Sequence, residues 1–246
     1  MVFQAIILFA GGFLGGLYGA SVGGGALFTL PLLLLTGLPP QFALGTQRLA
    51  AAMLELSSSI RFHKAKKLDL KLALMLSAFA VVGSIAGVKI VIGIPPKTLN
   101  VVIGVLLLSA ALTLLNKDRF DLKKYKFHRQ NLALLAAASV ILGFYGGFIG
   151  AGFGAFSVIA LSLFGFNFLE SAAISRVIGF CTSVAATFIF AQHHLIYYRL
   201  SIILGAGFVI GSWIGVGIAL KKSEGYIRIL LLLVIGASLI KVLWSL

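Results

Sequence analysis

Two arginines and a handful of glycines are the residues of this chain best placed to do chemistry. Arg48 and Arg176 stand 128 positions apart, each near the middle of a long apolar stretch. A guanidinium at the centre of a bilayer costs at least about 2.5 kcal/mol on the mildest scale, so such a residue faces a bundle interior or an aqueous cavity. Its forked donors match planar and tetrahedral oxyanions. Two of them could flank one small anion, with Thr46, Gln47 and Ser175 adding uncharged donors. The competing reading is an internal salt bridge or a carbonyl cap. Glu55, seven residues after Arg48 and on the same helix face, is placed to neutralise it locally.

The glycines supply the second half of such a site. Gly23-Gly24-Gly25 cannot form a stable helix interior. Gly152 and Gly154 stand in the corresponding stretch of the second half. Backbone N–H groups at a loop or helix N-terminus attract anions, and glycine lets backbone come close. Two such tips facing one another would enclose a compact anion pocket; close helix packing is the equal alternative. Elsewhere packing is preferred, because Gly12/Gly16, Gly15/Gly19, Gly83/Gly87, Gly207/Gly211 and Gly211/Gly215 have the small-xxx-small spacing of touching membrane helices.

Glu55 is the carboxylate that lies well inside an apolar stretch. It could carry protons in a coupled cycle. The preferred reading is a solvated partner of the basic loop at the cytoplasmic rim. No nucleophile–histidine–acid arrangement, phosphate-binding loop or Cys/His metal set is apparent, so the chain is read as a non-enzyme without cofactor or metal. His193-His194 lacks the spacing of a helical metal pair. Cys181 reads as a small buried hydrophobe.

The elements that must position these residues are membrane helices. The 246 residues are 60% hydrophobic and 11% charged. Ten apolar segments follow one another, roughly 2–20, 23–37, 41–60, 72–93, 98–115, 131–150, 153–166, 168–192, 200–220 and 226–246. Crossing a bilayer as helix takes about 20 apolar residues, and no period-2 alternation suggests a barrel. Met1 to Ala10 have no basic n-region and are read as the start of the first span. Pro31 should kink or break the second segment.

The chain also repeats. Gly15 to Gly23 resembles Gly146 to Gly154 at a spacing of 131, and a spacing of 128 pairs Gly37 with Gly165, Arg48 with Arg176, Phe62 with Phe190, and Gly83-Ser84 with Gly211-Ser212. Two repeats, 1–115 and 131–246, are joined by a basic linker, 116–130. The net charge of +14 does not point to nucleic acid. Fourteen of the twenty Lys and Arg fall in 61–71, 116–130 and 221–228, the pattern of cytoplasmic loops. The basic loop at 61–67 corresponds to the loop at 191–199, which has one arginine and no lysine, and the Pro95-Pro96 turn to the basic stretch at 221–228. The sign flips in both pairs, as it does when an odd number of crossings inverts the second copy. The expected fold is thus an all-α polytopic membrane protein. It has two inverted repeats of about five segments each, the first two of each forming a glycine-rich bent hairpin. Both termini lie outside.

The stretch Gly15-Gly16-Leu17-Tyr18-Gly19-Ala20-Ser21-Val22-Gly23-Gly24-Gly25, followed by Pro31, resembles the glycine motif of the TauE/SafE sulfite exporter family, within the toluene-sulfonate uptake permease group. The copy at Gly146 to Gly154 and the duplicated layout have the same character, and the resemblance covers nearly the whole chain. It implies transport, mostly outward, of sulfite, organosulfonates or related sulfur oxyanions, with the glycine tips lining the permeation site. Arg48 and Arg176 depart from the family pattern, which more often has small or hydroxyl-bearing residues there. The expectation is a plasma-membrane carrier of a small sulfur anion working by alternating access between the repeats. Its partners are that anion and the lipid bilayer, with a homodimer left open. A passive anion channel and a non-transporting membrane scaffold are the alternatives.

Overall fold

A computed structural model describes residues 2–115 and 131–221. The linker 116–130, the final segment 226–246 and the basic stretch after Lys221 lie outside the described residues. Among those described there are nine helices and no strand. They are α1 Val2–Val22, α2 Ala26–Leu34, α3 Pro40–Lys64, α4 Leu70–Gly93, α5 Pro96–Leu115, α6 Leu132–Phe148, α7 Phe153–Leu163, α8 Phe168–Gln192 and α9 Tyr198–Lys221.

Local chemistry sets where they begin and end. Pro40 opens α3, where its missing N–H costs nothing. Asp69 and Asn131 accept from Leu72 N and Leu134 N, capping α4 and α6. Asn167 and Glu170 form a reciprocal capping box at the start of α8, with distances of 2.9 and 3.1 Å. The ends of α3 and α8 are near replicas. Lys66 at φ 56° and His194 at φ 55° reverse the chain. Lys67 N then donates to Phe62 O as Leu195 N donates to Phe190 O. Pro31 lies inside α2, which continues only to Leu34.

By length and composition, α1, α4, α8 and α9 can cross a membrane. Their outward faces are apolar: Val82 is 63% and Phe188 64% exposed, as suits side chains bathed in lipid rather than water. Although α3 is as long as α8, it buries Thr46, Gln47, Arg48, Glu55, Ser57 and Ser58, so it is less apolar throughout. By contrast α2 and α7, with nine and eleven residues, reach only about 14 and 17 Å at 1.5 Å per residue. That is roughly half of a 30 Å hydrocarbon layer.

Packing follows the small residues. The closest partnerships are α1 with α9 and α4 with α6, followed by α3 with α9, α3 with α8, and α4 with α8. Gly12 and Gly16 of α1 abut Leu204 and Phe208 of α9, while Gly207, Gly211 and Gly215 of α9 abut Phe9, Phe13 and Leu17 of α1. The other pair works alike: Gly143 and Gly147 of α6 meet Ala80 and Ser84 of α4, and Gly83 and Gly87 meet Val140 and Phe144. At each of these positions an added Cβ would run into the opposing helix backbone. Van der Waals contact between backbones replaces the hydrophobic drive that lipid abolishes. Gly15 and Gly19 serve a different contact: both face Gly25, closing the turn between α1 and α2.

Gly143→Ala and Gly211→Ala should each destabilise the bundle by about 1–3 kcal/mol through overpacking against backbone that cannot yield. Thermal unfolding of the purified protein in detergent checks this. Unchanged midpoints would show that the glycines are not what brings these helices together.

Candidate functional site

The two longest helices, α3 and α8, cross in the interior. At the crossing lies a cavity lined by residues of both, by the α1–α2 connection and by the α6–α7 connection. From α3 come Gln47, Arg48, Ala51, Leu54 and Glu55. This is one helical face, with positions i, i+1, i+4, i+7 and i+8. Its volume is about 30 Å³, roughly twice what one water molecule requires. The space suits a compact solute.

Two helix starts point into it. Gly24, Gly25 and Ala26 at the head of α2 line the cavity, as do Phe153 and Gly154 at the head of α7. The first N–H groups of a helix have no acceptor within it, and that end has the positive pole of the helix dipole. The two turns touch: Gly23, at φ +83°, lies against the backbone of Gly154 and Ala155. A side chain at either glycine would push the turns apart. Gly152 stands just behind, left-handed at φ 79°, as the N-cap of α7. The hydroxyl of Tyr145 donates to Ala151 O and ties that turn to α6.

The arginines enter from opposite helices and meet different fates. Arg176 is 2% exposed. Its Nη1 donates to Gly19 O at 3.0 Å and to Glu55 Oε1 at 3.2 Å, and its Nη2 to Ser175 Oγ at 3.1 Å. Glu55 Oε2 lies 3.1 Å from the same Nη1. Arg48 is 5% exposed and has no ion-pair partner among the described residues. Its guanidinium lies against Gly150, whose absent side chain leaves it room, and its Nη2 is buried without a hydrogen-bond partner.

The expectation that Glu55 sits at a solvated rim is incorrect. Glu55 is 8% exposed and lines the cavity. Nor does it form an ion pair with Arg48, the neighbour on its own helix face. The crossing of α3 with α8 places Arg176 opposite it, and Gly179, where a Cβ would come within 2.9 Å of the carboxylate, clears the space. Arg48 points away, toward the α6–α7 turn.

Three donors around the cavity are left without partners: Arg48 Nη2, Arg176 Nε and Gln47 Nε2. Gln47 is oriented by Thr29, whose hydroxyl donates to its Oε1 at 2.9 Å. Buried donors without acceptors are costly, and a group of them facing one enclosure is what an acceptor-rich solute would satisfy. Glu55 Oε2 is the counterexample, an acceptor with no hydrogen bond.

Thr46 is not among the lining residues. One position before Gln47, it falls on the α9 side, where its hydroxyl accepts from Tyr197 N and its carbonyl from Ser201 Oγ, both at 3.0 Å. Ser175 supports Arg176 rather than lining the space. Sequence reasoning passed over Ser183, which lines the cavity. It stands 128 residues after Glu55, and the repeat spacing alone would have found it. Thr29 and the Gly19 carbonyl carried no such signal, because their roles arise from the hairpin's close return.

The chain is similar to known proteins over nearly its whole length. The family description "Sulfite exporter TauE/SafE" matches residues 8–242. A "Probable membrane transporter protein" of Haemophilus influenzae is 30% identical over 223 residues, 90% of this chain and 88% of that one. The "Probable membrane transporter protein ORF9" of a Sinorhizobium species is 26% identical over 96% of this chain and 91% of its own. The Escherichia coli K12 protein "Probable membrane transporter protein YfcA" is 25% identical over 97% and 89%. No solved structure matches the chain. The chain belongs to the TauE/SafE sulfite exporter family of membrane transporters.

Proposed function

We propose that this protein carries small sulfur oxyanions, sulfite or organosulfonates, outward across the plasma membrane by alternating access at the α3–α8 cavity. The observation that carries this reading is Arg48, a buried guanidinium with no ion-pair partner among the described residues. It faces a cavity where Gln47 and Arg176 present further donors and two helix starts converge. Such a set is complementary to a compact anion and repels a cation. The family resemblance supplies sulfur as the central atom.

The site lies between two inverted copies of one unit. Several observations support the duplication. Helices α1 and α6 hold corresponding places, and so do α4 and α9, so the α1–α9 and α4–α6 packings are the same contact made twice. The turns after α3 and α8 share their hydrogen bonds at the repeat spacing. The opposite charge of corresponding loops favours inversion, with both termini outside. In this arrangement α1–α2 and α6–α7 are re-entrant hairpins. Their glycine tips meet near the bilayer middle, where irregular backbone is tolerated because protein covers it.

Glu55 serves as the proton-coupling residue. A proton on its carboxyl removes the charge that holds Arg176, the cation facing it from α8, while Arg48 remains the cation on its own helix. More positive charge then faces the anion, so loading is faster from an acidic compartment.

In proteoliposomes preloaded with sulfite, Arg48→Ala should slow efflux more than about thirtyfold, the equivalent of the 2 kcal/mol lower bound for losing one partner of a buried charge contact. Arg48→Lys, which keeps the charge without the fork, should fall between. Unaltered flux in Arg48→Ala would leave a scaffold, and single-channel currents in place of counterflow would leave a channel.

Wild-type flux of methanesulfonate, a solute that keeps one charge across the working pH range, should also be faster from an acidic donor compartment than from an alkaline one, and Glu55→Gln should abolish that difference. A gradient response that survives the substitution would remove Glu55 from the coupling.

A further inference from the structure

The charged residues enclosed at the cavity are unevenly matched. Arg48, Glu55 and Arg176 are the buried charged side chains among the described residues, and all three line the same space. Glu55 sits on Arg176 with its oxygens 3.1 and 3.2 Å from Nη1. The enclosure therefore holds one uncompensated positive charge, on Arg48. Ser183, the counterpart of Glu55 at the repeat spacing, is neutral. A second carboxylate there would have cancelled the excess; its absence leaves room for one negative charge from outside.

A buried charge without a counter-charge is heavily penalised in a low-dielectric interior. One negative charge on the solute brings the enclosure to neutrality. A second would leave an excess of the opposite sign, under the same penalty. We propose that Glu55, by occupying Arg176, restricts this cavity to singly charged oxyanions, a sulfonate or the hydrogen form of a diprotic oxyacid, and excludes dianions such as sulfate. The inference rests on the reading of this cavity as the anion site. It adds that selection is by charge, and that Glu55 is the residue that sets it. Contact alone would not produce this. Glu55 engages a single nitrogen of Arg176, and Arg176 Nε remains unpartnered, so a tetrahedral solute of either charge finds the same donors.

Methanesulfonate and sulfate are tetrahedra of similar size that differ by one charge. Their dissociation constants from the purified full-length protein, measured in mildly alkaline buffer where both keep fixed charge, test the proposal. Wild type should prefer methanesulfonate by at least about tenfold, given the penalty on an unmatched buried charge. Glu55→Gln should reverse the preference. Ser183→Lys should shift it the same way with the Arg176 contact intact, so the test survives if Glu55→Gln does not fold. The double variant Glu55→Gln/Arg176→Gln restores a single excess positive charge and should restore the wild-type preference. A wild type that favours sulfate overturns the proposal. So does a preference that stays fixed in Glu55→Gln and Ser183→Lys while Arg48→Ala abolishes binding of both anions, an outcome that leaves the transport site standing. If neither anion binds wild type, or Arg48→Ala binds both unchanged, the site reading falls and this inference falls with it.

Discussion

Everything in this bundle is arranged around the cost of holding charge away from water. Three ionisable side chains sit at one crossing of two helices. The hydration they lose must be replaced by fixed dipoles and counter-charges, or the helices would not pair there. Arg176 receives much of that replacement from a carboxylate, a serine and the Gly19 carbonyl, its Nε alone being left without a partner. Arg48 receives little from side chains. The interior thus holds one cation without an ion-pair partner among the described residues, and that is what supports the proposed anion site.

The glycine content of the chain follows from the same demand. To surround a small cavity with backbone, α1 must lie on α9 and α6 on α4 at backbone contact, and small residues on both members of each pair allow it. To bring helix starts to the cavity, the chain must turn back within the protein. The turns at Gly23 and Gly150 use positive φ, and the turns touch with no side chain between them. Gly150 adds a second reason: any Cβ there would occupy the volume of the Arg48 guanidinium. Packing and site had stood as alternatives for these glycines. At Gly154 they are the same contact, since its missing side chain admits both the facing turn and Arg176.

Much of this was legible from residue order, because the signals are periodic or repeated. The apolar segments bounded the described helices to within a few residues, and the paired arginines stood out because charge in an apolar run is rare. The failures have a common physical origin. Glu55 was assigned to a rim because sequence separation to the basic loop is visible, whereas the crossing that delivers Arg176 to it is not. Thr46 was grouped with Gln47 and Arg48 because they are adjacent. A helix turns about 100° per residue, which sends Thr46 to α9 and its neighbours to the cavity. Gly19 could not be foreseen, because what it offers is a carbonyl, a group every residue has.

In the proposed duplication the two halves share a scaffold, and their chemistry diverges. Repeat partners keep the turns, the arginines and the small-residue contacts, all of which serve geometry that two copies must satisfy alike. Where they diverge, at Glu55 against Ser183 and Gln47 against Ser175, the first copy has the longer and more polar group. A strictly symmetric pair of units would give either two free arginines or two neutralised ones. The first would hold a doubly charged enclosure at prohibitive cost, and the second would leave nothing to attract an anion. One carboxylate paired with one of the two arginines is the intermediate solution, and the other arginine is the cation on which the proposed anion site rests.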